Sequence, residues 1–150
     1  MTDRFRRWIA ALAGLCVAAV VHAADGPQKL ASIRLQAGIH NISAELAITH
    51  EQRAIGLMNR TAMGANEGML FVFEQAGQQC FWMKNTLIPL SIAFLADDGS
   101  IVNIDSMKPQ TLDPHCSEKP VRYVLEMNEG WFAKRGIKAG MKVRGQPFGN

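Results

Sequence analysis

The stretch richest in chemical groups is Trp82-Met83-Lys84-Asn85-Thr86. It sets a cation, an amide and a hydroxyl beside an indole, shortly before Pro89. In an extended chain Trp82, Lys84 and Thr86 share one side. An aromatic platform beside hydrogen-bonding groups suits a sugar or a peptide. The packing alternative is equally concrete: Trp82 in the core, Lys84 paired with a carboxylate, Asn85 holding a turn. Glu126 lies in an apolar strand-like run, on the face opposite Leu125 and Met127. A carboxylate there could ion-pair with Lys84 or Arg60, as a structural link or inside a cleft. If Lys84 and Glu126 share a pocket, they could pass protons. Arg60 carries the same two readings. The candidate ligand-binding set is therefore Arg60, Trp82, Lys84, Asn85, Thr86 and Glu126.

Sulfur chemistry is the second possibility. Cys16 falls in an N-terminal segment considered below, which leaves Cys80 and Cys116 as an even pair. In an oxidising compartment such a pair is expected to form a disulfide. Free buried thiols, or a metal or redox site with His115, are the alternatives. No C-x-x-C is present, and His40, His50 and His115 lack metal-ligand spacing. Methionine thioethers are soft ligands for copper(I). However, Met58, Met63, Met69, Met83, Met107, Met127 and Met141 are scattered rather than clustered, which favours core filling. No nucleophile elbow, phosphate-binding glycine loop, H-E-x-x-H or dinucleotide fingerprint occurs. No catalytic residue is assigned, and no cofactor or metal is expected.

The chain has 150 residues and a net charge of +3. Much of that charge sits at the start. Arg4, Arg6 and Arg7 precede an uncharged apolar run from Trp8 to Val21, and Val21-His22-Ala23 has the small residues of a cleavage site. That is the layout of a signal peptide over residues 1–23. The run is shorter than the roughly 17–25 residues of a membrane span. Cleavage would remove three arginines and Asp3, leaving a nearly neutral chain. No polybasic segment then remains for nucleic acid or anionic lipid. The expected location is periplasmic or secreted.

The elements that must position these groups are short. Residues 24–29 read as a flexible leader and 30–150 as a single β domain. Ile33 and Leu35, then Ile42, Ala44, Leu46 and Ile48, alternate with polar neighbours as half-buried strands do. Thr49 and Gln52 form a capping box, which predicts a helix from about His50 to Met58. Gly68 to Phe73 reads as a central strand and Cys80 to Met83 as another. Leu90, Ile92 and Phe94 alternate into Asp97-Asp98-Gly99-Ser100, a hairpin turn, with a return strand over Ile101 to Met107. Three prolines make 108–120 an irregular loop. Val121 to Met127 is a strand, Asn128 is expected to cap a short helix over Glu129 to Arg135 stopped by Gly136, and Met141 to Arg144 is a last strand. Such a series predicts a mainly β fold, a compact sandwich or barrel with one or two short helices.

Several strings together resemble a known family. They are Gly56-Leu57-Met58-Asn59-Arg60, Gly68-Met69-Leu70-Phe71-Val72-Phe73, the run from Phe81 to Leu90, and Tyr123-Val124-Leu125-Glu126 with Gly130. The family is domain of unknown function 192, also called uncharacterised protein family 0127, and the likeness is to its exported, proteobacterial type. The resemblance implies a compact, predominantly β domain and no established activity. Family members often carry Asp where this chain has Ser91.

The combined reading is an exported, monomeric, disulfide-stapled β domain that binds a small ligand or an envelope component. An uncharacterised hydrolase or transferase using Lys84 and Glu126 is one alternative. A copper carrier is another.

Overall fold

The computed structural model describes residues 26–148; the expected signal peptide lies outside the described residues. In chain order the elements are β1 (Ser32–Ala37), β2 (His40–Ala47), α1 (His50–Ile55), β3 (Glu67–Gly77), β4 (Cys80–Phe81), β5 (Leu90–Leu95), β6 (Ile101–Met107), β7 (His115–Cys116), β8 (Val121–Asn128) and β9 (Val143–Arg144). Seven strands form one sheet in the order β6-β5-β8-β3-β2-β1-β9, which curls into a half-barrel. β4 and β7 make a separate two-stranded ribbon. The fold is mainly β, as the alternating strings imply.

Local signals act where expected. Thr49 accepts from the Gln52 amide at 3.2 Å and the Gln52 side chain accepts from the Thr49 amide at 3.1 Å, closing the capping box. In the β5–β6 turn, Asp98 accepts from the Ser100 amide at 3.0 Å and Gly99 takes a φ of 80°. Only a residue without Cβ does this without strain.

Three expectations need correction. The strand from Cys80 stops at Phe81 rather than Met83, because the chain turns through Asn85, whose φ is 54°. The helix over 129–135 is a single 3-10 turn at Ala133–Arg135. Asn128 does not cap it: its amide donates to the Gly64 carbonyl at 2.9 Å, from a segment far away in sequence. The loop of 108–120 contains β7, which pairs with β4.

The sheet also holds one arrangement that strand patterning does not announce. β2 and β3 pair in parallel, with Ala44 opposite Gly68. Parallel neighbours need a long crossover, usually with a helix. The segment containing α1 supplies it. Every other strand pair in the sheet is antiparallel.

Both faces of the sheet are covered. On one face Leu35, Ile42, Leu70, Leu125 and Met127 pack with Trp131, Phe132 and Val143. On the other, Met69, Phe71, Ile92, Phe94 and Val124 pack with Leu57, after α1, and Met83, after β4. A strand buried on both sides reads as continuously apolar, and β5 shows it, with all six residues buried. Four of the methionines lie wholly inside these clusters, consistent with their reading as core filler. No helix among the described residues is long and apolar enough to cross a membrane.

Candidate functional site

β8 is the strand that carries Glu126 into the molecule. In register, Glu126 stands opposite Met69 on β3 and Ile92 on β5. Its face is that of Val124, against the apolar cluster of Phe71, Ile92 and Phe94. The residue is 4% exposed. Among the described residues no hydrogen bond or ion pair engages its carboxyl. Burial alone pushes its pKa up to about 8, so the acid is largely protonated at neutral pH.

The remaining access to Glu126 opens on a cleft of about 410 Å³. One wall is α1 with the turn that follows it, through Arg53, Ala54, Leu57 and Met58. Another is aromatic: Phe71 and Phe73 from β3, Phe81 from β4, and Trp82 beyond it. Phe81 meets Phe71 edge-on at 4.8 Å and Phe73 at 6.4 Å. Gly56 lines the cleft where α1 ends; its φ is 50° and a Cβ there would press on the Phe71 ring at 3.3 Å. The volume lies within the range usual for small-molecule sites, roughly 300–1,000 Å³.

The ribbon fixes the aromatic wall. Cys80 stands directly across from Cys116, and a disulfide joins them. The ribbon continues as hydrogen bonds between two loops, with the Met83 amide donating to the Thr111 carbonyl at 2.9 Å. This sets Trp82 at the mouth, 53% exposed, with Leu112 of the facing segment also exposed. His115 pairs with Asp105 at 2.5 Å, outside the cleft.

Of the six candidate residues, the structure brings three together. Trp82, Thr86 and Glu126 line the cleft. Thr86 is buried, and its hydroxyl donates to the Lys84 carbonyl at 3.4 Å. Lys84 is exposed, with Nζ 5.6 Å from the Trp82 ring centre. Among the described residues it forms no ion pair with Glu126, and it is not among the residues that line the cleft. Asn85 holds the turn in a left-handed conformation, and its carbonyl accepts from the Asn59 amide at 2.9 Å. Arg60 pairs elsewhere, gripping Glu45 with two bonds of 2.8 Å and the Gln28 carbonyl with one of 2.7 Å.

Residue types alone did not single out the walls. Phe71 and Phe73 read as core because they sit in a dense apolar run. Their spacing of two, which places both rings on one face, was the available signal. A register shift between Val72 and Gly77 also interrupts the β3–β8 pairing next to Phe73.

Among families, the model of DUF192, described as "Uncharacterized ACR", matches residues 32–145. The chain belongs to the DUF192 family. Two solved structures resemble this member. A protein of unknown function from Novosphingobium aromaticivorans DSM 12444 is 37% identical, with a TM-score of 0.75, over 87% of this chain and 94% of that one. A protein from Sinorhizobium meliloti 1021, named as a candidate transcription regulator, is 35% identical, with a TM-score of 0.72, over 79% of this chain and 98% of that one. No match was found among curated proteins. In this DUF192 member Ser91 is buried, and its hydroxyl accepts from the Gly130 amide at 2.8 Å, so the position is structurally satisfied without a carboxylate.

Proposed function

We propose that this DUF192 protein is an exported domain that holds a small, mostly apolar molecule in the cleft ending at Glu126. The observation that carries the reading is one buried carboxyl, unpartnered among the described residues, at the base of an aromatic-walled cleft. Burying a polar group without a partner costs free energy that apolar packing there would avoid. Ligand sites pair apolar walls with a few placed polar groups in this way. Export is supported by the arginine-led apolar N-terminus and by the disulfide, which oxidising compartments preserve.

Ligand-observed NMR with a library of small aromatic and aliphatic compounds, on the chain lacking residues 1–23, tests the reading. Several compounds are expected to bind in competition with one another. Ala54→Trp, which sets an indole at the mouth from an exposed helix position, is expected to abolish their signals. Binding that survives this substitution, or a library with no binders, would refute the cleft as the site.

A further inference from the structure

We infer that the cleft selects a protonated amine on an apolar body, with Glu126 as its counter-ion and the aromatic rings as its walls. This narrows the cleft reading above and rests on it. The argument begins with which polar groups are already committed. Glu126 has no partner among the described residues. The Thr86 hydroxyl spends its proton on the Lys84 carbonyl, which leaves its lone pairs to accept. Arg53, the permanent cation lining the cleft, donates to the carbonyls of Ile48 and Val72 and reaches Glu74. His50 lies at the exposed first turn of α1. The face of β3 and β5 around Glu126 carries apolar residues, among them Met69, Phe71, Ile92 and Phe94. Of the groups left facing the cleft, the Glu126 carboxylate and the Thr86 hydroxyl accept hydrogen bonds and the Gln79 amide offers its oxygen as well as its NH2, so an ammonium finds an acceptor at each.

The walls point the same way. Ring faces attract cations. The protein already uses two of these rings so, with Lys84 over Trp82 at 5.6 Å and Arg53 over Phe73 at 4.8 Å. A neutral guest leaves Glu126 without a counter-charge. An ammonium stabilises the carboxylate, so its binding at neutral pH releases a proton from Glu126 to solvent.

Isothermal titration calorimetry at pH 7 with 2-phenylethylammonium and its neutral analogue 2-phenylethanol tests this, in two buffers of different ionisation enthalpy. The amine is expected to bind at least tenfold more tightly than the alcohol. Its apparent enthalpy should differ between buffers by close to one released proton. Glu126→Gln keeps the shape of the protonated acid and so preserves the fold. It should lose at least tenfold for the amine and much less for the alcohol. His50→Asn should retain the proton release. Equal or tighter binding of the alcohol, or an undiminished amine affinity in Glu126→Gln, would overturn the inference. If the alcohol binds and the amine does not, only the ligand class falls. If neither binds, the cleft reading falls with it.

Discussion

Glu45 and Glu126 are both glutamates on strands of the same sheet, and they have opposite circumstances. Glu45, on β2, is held by a forked bond to Arg60 and accepts the Leu30 amide at 2.7 Å. Burial alone would raise its pKa. The Arg60 guanidinium and the Leu30 amide outweigh burial and hold its carboxyl below the ordinary range. Glu126, on β8, has the burial and, among the described residues, none of the partners. One carboxylate therefore works as a clamp, fixing the chain before β1 to the turn after α1. The other is a cost to the folded state that a guest could offset. What separates a structural charge from a candidate site here is not residue type or depth, but whether the fold supplies a counter-charge.

The comparison is open to direct attack. The largest effect is expected from Arg60→Ala, which strands Glu45 and should lower stability by about 3–5 kcal/mol. Urea denaturation at pH 7 measures it, and a loss below about 1 kcal/mol would deny the clamp. Next comes the disulfide, which secures the cleft side only. The double substitution Cys80→Ser with Cys116→Ser should cost about 3–4 kcal/mol for a loop of this size. Trp82 fluorescence should change with it, while the Arg60–Glu45 region keeps its slow amide exchange. Loss of protection at both regions in the native state would show that the staple is global.

The third expected effect has the opposite sign. A carboxyl whose folded pKa is raised binds more protons folded than unfolded, so stability falls as pH rises from about 4.5 through about 8. Glu126→Gln removes that dependence and should be more stable than the parent at pH 8, with little difference at pH 4. Glu45 behaves in reverse: its lowered pKa gives stability present above the ordinary carboxylate range and lost as the solution is acidified. Parallel melting curves of the two proteins from pH 4 to pH 9 would show whether the gain appears only on the alkaline side.

Much of this was legible where the cause is local. The Thr49–Gln52 capping box, the Asp98–Gly99 turn and the left-handed stop at Gly136 each depend on residues within a few positions. The pairing of Cys80 with Cys116 follows from arithmetic once Cys16 is set aside. What was not legible is set by distant partners. Asn128 looked like a cap, and its side chain instead serves Gly64. Arg60 and Glu126 looked like possible partners, yet the parallel packing of β2 beside β3 delivers Glu45 to Arg60. Lys84 and Thr86 looked like same-side neighbours, until the turn at Asn85 sent one outward and the other into the cleft. Three of the six candidates therefore share one cleft, and topology sends the other three elsewhere.

The place of β8 has a consequence for how the chain matures. It lies between β5 and β3, yet both neighbours precede it in the chain. Without residues 121–128 the sheet order leaves β6-β5 and β3-β2-β1 with no strand between them, each ending in an open edge. Exposed strand edges invite pairing with other chains. Joining them therefore waits for most of the chain, and the strand that carries Glu126 both bridges the two groups of strands and brings the cleft's carboxyl into place.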